Sequence, residues 1–372
     1  MQNRDVQNNG VERGRDLLAA IGGLVPDMRR RACELDRDGA FPATEIDRLR
    51  AVGALGAPIP AAFGGLGMGT EFGGALALAE ALRLLGRGNL SVGRLFEAHV
   101  NALRLIVRYG TEAQARAASD HALSGHLFGL WVTDAHDDPV RVENGVLWGA
   151  KAPCSGAGHI TRALMTAEVA PGITNLVVIR IEPGTRADFS AWDPPGMRAS
   201  ASGRMNLDGV PADPVGTPGD YVRQPEFSAG AWRTSAVTLG GLEALVTEVR
   251  AALVGRGRDS NPHQLARVGE ALIAQETARL WVRRAALVAE AGDGDPGDVT
   301  GVVNLARIAI ETCCLDVIRI AQRALGLSAF RRGTLVELLL RDLAVYLRQP
   351  AADEALTEAA AHFMRRDPPD PA

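Results

Sequence analysis

Leu130–Ala167 reads LWVTDAHDDPVRVENGVLWGAKAPCSGAGHITRALMTA, and here the chain changes rhythm. Upstream, apolar residues recur at helical spacing. Within this stretch, short apolar runs are cut by Gly, Pro, Asp and Asn, the pattern of short strands joined by turns. It also holds Lys151, the one lysine among 40 basic residues. Arginine used so uniformly reflects base composition more simply than phosphate recognition. The segment therefore opens a small β domain between two helical blocks.

Before it, apolar positions predict a helix over Val11–Leu35, with the residues up to Asn9 disordered, and a second from Pro42 to Val52. Gly53–Gly69 holds two prolines and six glycines and demands tight turns. Its Gly65-x-Gly67-x-Gly69 lacks the preceding strand of a dinucleotide loop. Helices resume over Phe72–Leu85 and Ser91–Tyr109. The latter aligns Leu95, His99, Leu103 and Ile106 on one buried-looking stripe.

After it, Leu127–Thr133, Gly145–Gly149, Ala163–Val169 and Leu176–Ile181 read as strands, and Arg204–Leu207 with Val210 as a last pair. Together they suggest a small antiparallel barrel or sandwich. From Phe227 onward the chain reads as helical. Trp232–Val254, Pro262–Ala291, Val299–Leu325 and Thr334–Arg348 fit an up-and-down four-helix bundle, and the tail RRDPPDPA should fray. The domain expectation is thus 10–126 helical, 127–225 β and 226–365 bundle, an α+β chain.

Bulk properties narrow the function. The chain has 372 residues, 47% hydrophobic and 23% charged, with a net charge of −4, giving no basic face for nucleic acid. Cys33, Cys154, Cys313 and Cys314 do not make a disulfide framework, and no Cys or His pair has zinc-ligand spacing. A polar N-terminus without a signal peptide and the lack of any membrane-length apolar run predict a soluble, cytoplasmic protein.

Helices, a small β domain and a helical bundle, in that order, resemble the acyl-CoA dehydrogenase superfamily. The stretches that carry the resemblance are FPATEIDRLRAVGALGAPIPAAFGGLG (Phe41–Gly67), HVNALRLIVRYGTEAQ (His99–Gln114), WVTD (Trp131–Asp134), GAKAPCSGA (Gly149–Ala157), WDPPGMRASASG (Trp192–Gly203) and LLLRDLAVYLRQP (Leu338–Pro350). The resemblance implies FAD between the β domain and the bundle, in a homodimer or homotetramer. It also implies a small-molecule or acyl-thioester substrate, with an electron-transfer flavoprotein or a flavin reductase as partner. Trp131, Val132 and Thr133 match the strand beside the flavin ring, and Pro153, Cys154 and Ser155 the strand on its other side. Arg256 and Gly326 match positions at the FAD pyrophosphate, Gly326 acting from a neighbouring subunit.

Several residues depart from that pattern. Asp259-Ser260 and Leu327 replace residues that approach the pyrophosphate, which raises FMN, or reduced flavin as a diffusible co-substrate, as the alternative cofactor. The two positions that carry the family's catalytic glutamate fall at Pro350 and near Gly230. Asp353, Glu354 and Glu226 read as solvated carboxylates. The match to LFEAHVN and to Cys154–Ala157 is similar to the flavin-dependent monooxygenase branch, in which a histidine and a hydroxyl serve oxygen transfer; His99 and Ser155 are the matching positions. Residue by residue, however, His99 reads more simply as a core histidine. The branch's second histidine is replaced within Arg348-Gln349-Pro350. The expectation is a flavin-dependent oxidoreductase without the usual glutamate. The alternatives are a two-component monooxygenase using reduced flavin and O2, or a non-catalytic relative.

Overall fold

The computed structural model describes residues 2–190 and 192–369, with side chains from residue 10 onward. The final three residues of the tail expected to fray lie outside the described residues. The N-terminal block contains α1 (Gln2–Asp38), α2 (Ala43–Ala51), α3 (Ala75–Gly88), α4 (Leu90–Tyr109) and α5 (Glu112–Leu123). Helix α1 begins well before Val11, in a stretch expected to be disordered, and carries Pro26 inside it. The Asn89 side chain accepts from the Ser91 and Val92 amides and starts α4. Thr111 and Gln114 form a capping box that starts α5, a helix the periodicity did not predict. The glycine loop folds on itself: the Gly65 and Gly67 amides donate to the carbonyls of Pro60 and Ile59. Those amides are therefore spent and do not form a phosphate cradle.

The middle of the chain forms β1 (Phe128–Trp131), β2 (Arg141–Glu143), β3 (Val146–Trp148), β4 (Ala150–Cys154), β5 (Arg162–Ala170), β6 (Ile173–Arg180), β7 (Ala187–Asp188), β8 (Gly203–Asn206) and β9 (Asp213–Val215). Against the expectation of an antiparallel barrel or sandwich, the strands form two sheets rather than one closed barrel, and one of them is not wholly antiparallel. One is mixed, in the order β3-β2-β5-β6-β9 with β1 also paired to β5; the other is the antiparallel set β4-β8-β7. Strands β1 and β2 both run parallel to β5, β1 along Arg162–Met165 and β2 at Glu168. The cause is local: the DAHDDP turn after β1 bulges outward without reversing the chain, so β2 rejoins the same edge of β5.

The C-terminal block contains α6 (Glu226–Ala229), α7 (Ala231–Val254), α8 (Pro262–Glu290), α9 (Pro296–Leu325), α10 (Leu335–Tyr346) and α11 (Ala352–Phe363). The four long runs expected from sequence correspond to α7–α10, and α11 is additional. Helices α3 and α7 cross at glycines: a Cβ on Gly86 would lie 2.0 Å from the Val237 carbonyl oxygen, and one on Gly240 2.1 Å from that of Arg83. The turn-rich WDPPGMR segment seats on α10, where the Met197 amide donates to Asp342 at 2.6 Å. One hydrophobic core runs through all three blocks, taking in Leu82, Trp131 and Leu239. Among the described residues no helix is long and apolar enough to cross a membrane.

Candidate functional site

The blocks enclose a cavity of about 570 Å³. Helix α4 supplies one wall because it is amphipathic in an inverted sense. Leu95, His99 and Leu103 pack inward, whereas Arg94, Glu97, Asn101 and Arg104 recur along the other face and line the cavity. The opposite sides come from Val132 and Thr133 just past β1, the first half of α7, the middle of α9 and the α10–α11 junction.

The floor is a buried polar network. Arg94 donates to Glu97 Oε2 at 2.6 Å, and Asn101 and Thr234 donate to Glu97 Oε1. Arg233, 2% exposed, donates to Asn101 Oδ1 at 2.9 Å and to Glu290 Oε1. Glu290 also accepts from the Trp232 indole at 3.0 Å and from Arg104 at 2.6 Å. Burial pulls the Arg233 guanidinium down to about 10.

The two segments expected to flank a flavin ring adjoin. The Ala152 amide donates to the Thr133 carbonyl at 3.1 Å, and the Trp131 indole to the Ser155 carbonyl at 3.0 Å. Val132 and Thr133 face the cavity, whereas Pro153 and Ser155 do not line it. Ser155 Oγ ends a chain of hydroxyls, accepting from Ser202, which in turn bonds Ser200. Trp131 and Cys154 are core residues; burial raises the Cys154 thiol, which points at the Lys151 carbonyl.

Lys151 stands behind this wall. It lies on the edge strand β4 with its side chain fully buried, and its ammonium meets Asp134 at 2.7 Å and Thr166 Oγ1 at 3.0 Å. Burial lowers its pKa, with Asp134 opposing the shift.

His99 is not brought to the cavity. At 0% exposure both its ring nitrogens are used: one bonds the Leu55 carbonyl at 2.8 Å, and Nδ1 accepts the Phe128 amide at 3.0 Å. This fixes the neutral Nε2–H tautomer. Burial pushes its pKa down to about 4. The simpler reading of His99 is the one this geometry supports, and it leaves no nitrogen for a reacting group.

Arg256 and Gly326 come together, but elsewhere. Arg256 donates to Ser328 Oγ at 2.8 Å, beside Gly326 at the end of α9. The cavity reaches along α7 to Thr238, and the helix runs on to Val254, just before Arg256. Those remaining 16 residues span roughly 24 Å along the axis. Within one subunit these residues and the Thr133 wall do not form one site.

Gly230 and Pro350, the two expected positions for a catalytic glutamate, both line the cavity. Of the three nearby carboxylates, Glu226 lines it but pairs with Arg108 at 3.1 Å. Glu354 is exposed on its wall, and Asp353 is exposed outside it. The floor residues Arg94, Glu97, Asn101, Arg104, Arg233 and Glu290 went unnoticed in the sequence. The α4 members did leave a signal, polar residues at helical spacing inside an otherwise apolar helix. Glu290 and Arg233 lie far apart in the chain and left none.

Residues 25–126 match the family model described as acyl-CoA dehydrogenase, N-terminal domain. The chain is 27% identical to L-evernosamine nitrososynthase from Micromonospora sp. over 317 residues, covering 77% of this chain and 71% of that protein. It is 28% identical to dibenzothiophene monooxygenase from Rhodococcus erythropolis over 226 residues, covering 56% of this chain and 53% of that one. The solved structure of KijD3, in complex with FMN and a dTDP-linked amino-keto sugar, superposes with a TM-score of 0.81 at 23% identity, covering 96% of this chain and 95% of that one. Residues 25–126 thus match the acyl-CoA dehydrogenase N-terminal domain, and the chain as a whole has the fold of a solved butyryl-CoA dehydrogenase.

Proposed function

We propose that the protein is a two-component flavin-dependent monooxygenase. It would take reduced FMN or FAD from a separate reductase and oxygenate a small molecule held in the cavity. The observation that carries this over α,β-dehydrogenation is the composition of the cavity interior. Dehydrogenation needs an available carboxylate to take the α-proton. Gly230 and Pro350 cannot serve, Glu97 is tied by three donors, Glu226 by Arg108 and Glu311 by Arg348, and Glu354 and Glu358 stand exposed to solvent, where a carboxylate is a weak base. The FMN named with KijD3 and the monooxygenase among the relatives agree with this choice.

The residues present fit the ring end of a flavin. The accessible ledge of Val132, Thr133, Pro153 and Ser155 offers apolar surface flanked by two hydroxyls that can donate to or accept from a ring edge. They fit the adenosine half less well, because Arg256 lies far from this ledge in the same subunit and is followed by Asp259. A reduced flavin bound there supplies the electrons that activate dioxygen. The Thr133 and Ser155 hydroxyls orient the ring, and Lys151 with Asp134 braces the strand beneath it. His99 acts as a positioning residue through the Phe128 amide at the start of β1. The walls of α4 and α7 hold the substrate and exclude bulk water.

A homo-oligomer belongs to the same proposal. Leu265, Leu272, Ile273 and Leu280 expose an apolar stripe on α8, and Leu327 is 91% exposed beside Gly326. Anaerobic titration with photoreduced FMN and with oxidised FAD tests the function. The expected result is tighter binding of the reduced flavin, altered reoxidation by oxygen, and no turnover of butyryl-CoA. Stoichiometric flavin that copurifies and is bleached by butyryl-CoA would instead make the protein a dehydrogenase.

A further inference from the structure

Strand pairing alone does not call for a lysine at position 151. Taking an ammonium out of water is costly, and an apolar side chain of similar size would fill the same buried space. The surroundings of Lys151 show what it holds. An ammonium has three donors, and three oxygens surround this one: Asp134 Oδ1 at 2.7 Å, Thr166 Oγ1 at 3.0 Å and the Val132 carbonyl at 3.4 Å. The Thr166 hydroxyl donates to the same carbonyl at 3.1 Å. Asp134 Oδ1 is fixed in turn by the Val140 amide at 2.9 Å.

The Val132 carbonyl lies just past the end of a ladder. Strand β1 pairs with β5 as far as Trp131 opposite Met165, and the next rung would set Val132 against Thr166. That rung is not made. Among the described residues no backbone amide donates to the Val132 carbonyl, and the Thr133 amide finds no partner. Two side chains take the carbonyl instead, from the buried side of the wall. The peptide between Val132 and Thr133 is trans, so its N–H points opposite to its C=O. With the carbonyl turned inward, the Thr133 N–H faces outward, where Thr133 is exposed and lines the cavity. A cation on the carbonyl side also polarises this peptide and strengthens its N–H as a donor.

We propose that Lys151 and Thr166 are positioning residues that end the β1 ladder one rung early and present the Thr133 amide to the cavity as a hydrogen-bond donor, for an acceptor atom on the edge of the flavin ring. This rests on the reading that the Val132–Thr133 ledge seats that ring. Neither side chain lines the cavity; both act through the Val132 carbonyl.

Hydrogen exchange, read by NMR on flavin-free protein carrying isotope-labelled threonine, tests the orientation. The Thr133 amide should exchange about a hundredfold or more faster than the Thr166 amide inside β5, and reduced FMN should slow it. Thr166→Val and Lys151→Met each remove one donor to the carbonyl and should weaken reduced FMN about fivefold. They should also move the visible absorbance of bound oxidised FMN toward that of free flavin, a signal of the hydrogen bond at the ring rather than of fold stability. Thr166→Ser, which keeps the hydroxyl, should stay within about twofold of wild type. Folded Thr166→Val and Lys151→Met proteins with wild-type FMN affinity and absorbance would overturn the proposal. If Lys151→Met does not fold, Thr166→Val and the wild-type exchange rates decide. FMN binding by a wild type whose Thr133 amide is already protected without flavin would sink this inference alone. No FMN binding by the wild type in either redox state would sink the flavin reading and the named acceptor with it, and the exchange rate would still decide how the amide is turned.

Discussion

His99 shows how a residue can match a catalytic position and do different work. Its imidazole is enclosed between Phe96 and Phe128, and each nitrogen is committed to a backbone group. Replacing it with alanine opens a cavity and orphans a carbonyl and an amide. His99→Ala should therefore cost about 3 kcal/mol in urea unfolding. Loss of turnover with an unchanged unfolding midpoint would return His99 to the reacting centre. Its protonation has a definite sign. The folded pKa is about 4 and the unfolded one near 6.5, so the unfolded chain binds more protons between them. The His99 contribution is complete above pH 6.5 and is lost as pH falls toward 4, by up to about 3 kcal/mol. Asp342, raised by burial to about 7, acts in the opposite direction over an overlapping range. The measurement that isolates His99 is thus the difference between wild type and His99→Asn across that window, and an unchanged difference would refute the assignment. The stripe of Leu95, His99 and Leu103 was legible as buried because helical periodicity reports burial directly. What the buried histidine bonds to was not legible, since Leu55 and Phe128 reach it only through the tertiary fold.

Elements carry the next level of constraint. Helix α7 crosses α3 with glycine against backbone at Gly86 and at Gly240, so the helices approach more closely than any side chain allows. Because α7 also presents Arg233 and Thr234 to the cavity, this crossing sets the depth of the floor. Gly240→Ala should force the pair apart and destabilise the protein by about 2 kcal/mol, against the small gain alanine brings to an open helix; an unchanged melting temperature would show that the crossing yields. Most helix positions were legible from periodicity, α5 and α11 being exceptions, whereas the Trp131–Thr133 and Pro153–Ser155 segments were linked only through the family resemblance. The sheet was not legible. Whether a strand pairs parallel or antiparallel depends on the path of the chain between strands, and DAHDDP carries no residue signature separating a reversal from a bulge. The floor went unread for a related reason: Arg233 and Glu290 are 57 positions apart, and their pairing exists only once α7 and α8 pack.

At the scale of the whole molecule, the residues expected to hold the two ends of an FAD lie toward opposite ends of α7. A single subunit can meet the ring end at Thr133 and leave the Arg256–Gly326 end to a neighbour. Arg256→Ala should then leave the affinity for reduced FMN within about twofold. It should weaken FAD only in a protein that sedimentation shows to be oligomeric; equal weakening of FMN would place Arg256 at the phosphate they share. The wall itself offers a separate kind of access. Lys151 is the sole lysine of the chain, is wholly buried, and is held by Asp134 and Thr166 behind the strand that faces the cavity. An amine-reactive reagent can reach this side chain only when the β domain opens. The slow acylation of one residue then becomes a clock for that opening, to be read by mass spectrometry without introducing a label, and its slowing on addition of flavin or substrate would measure how firmly each ligand holds the wall shut.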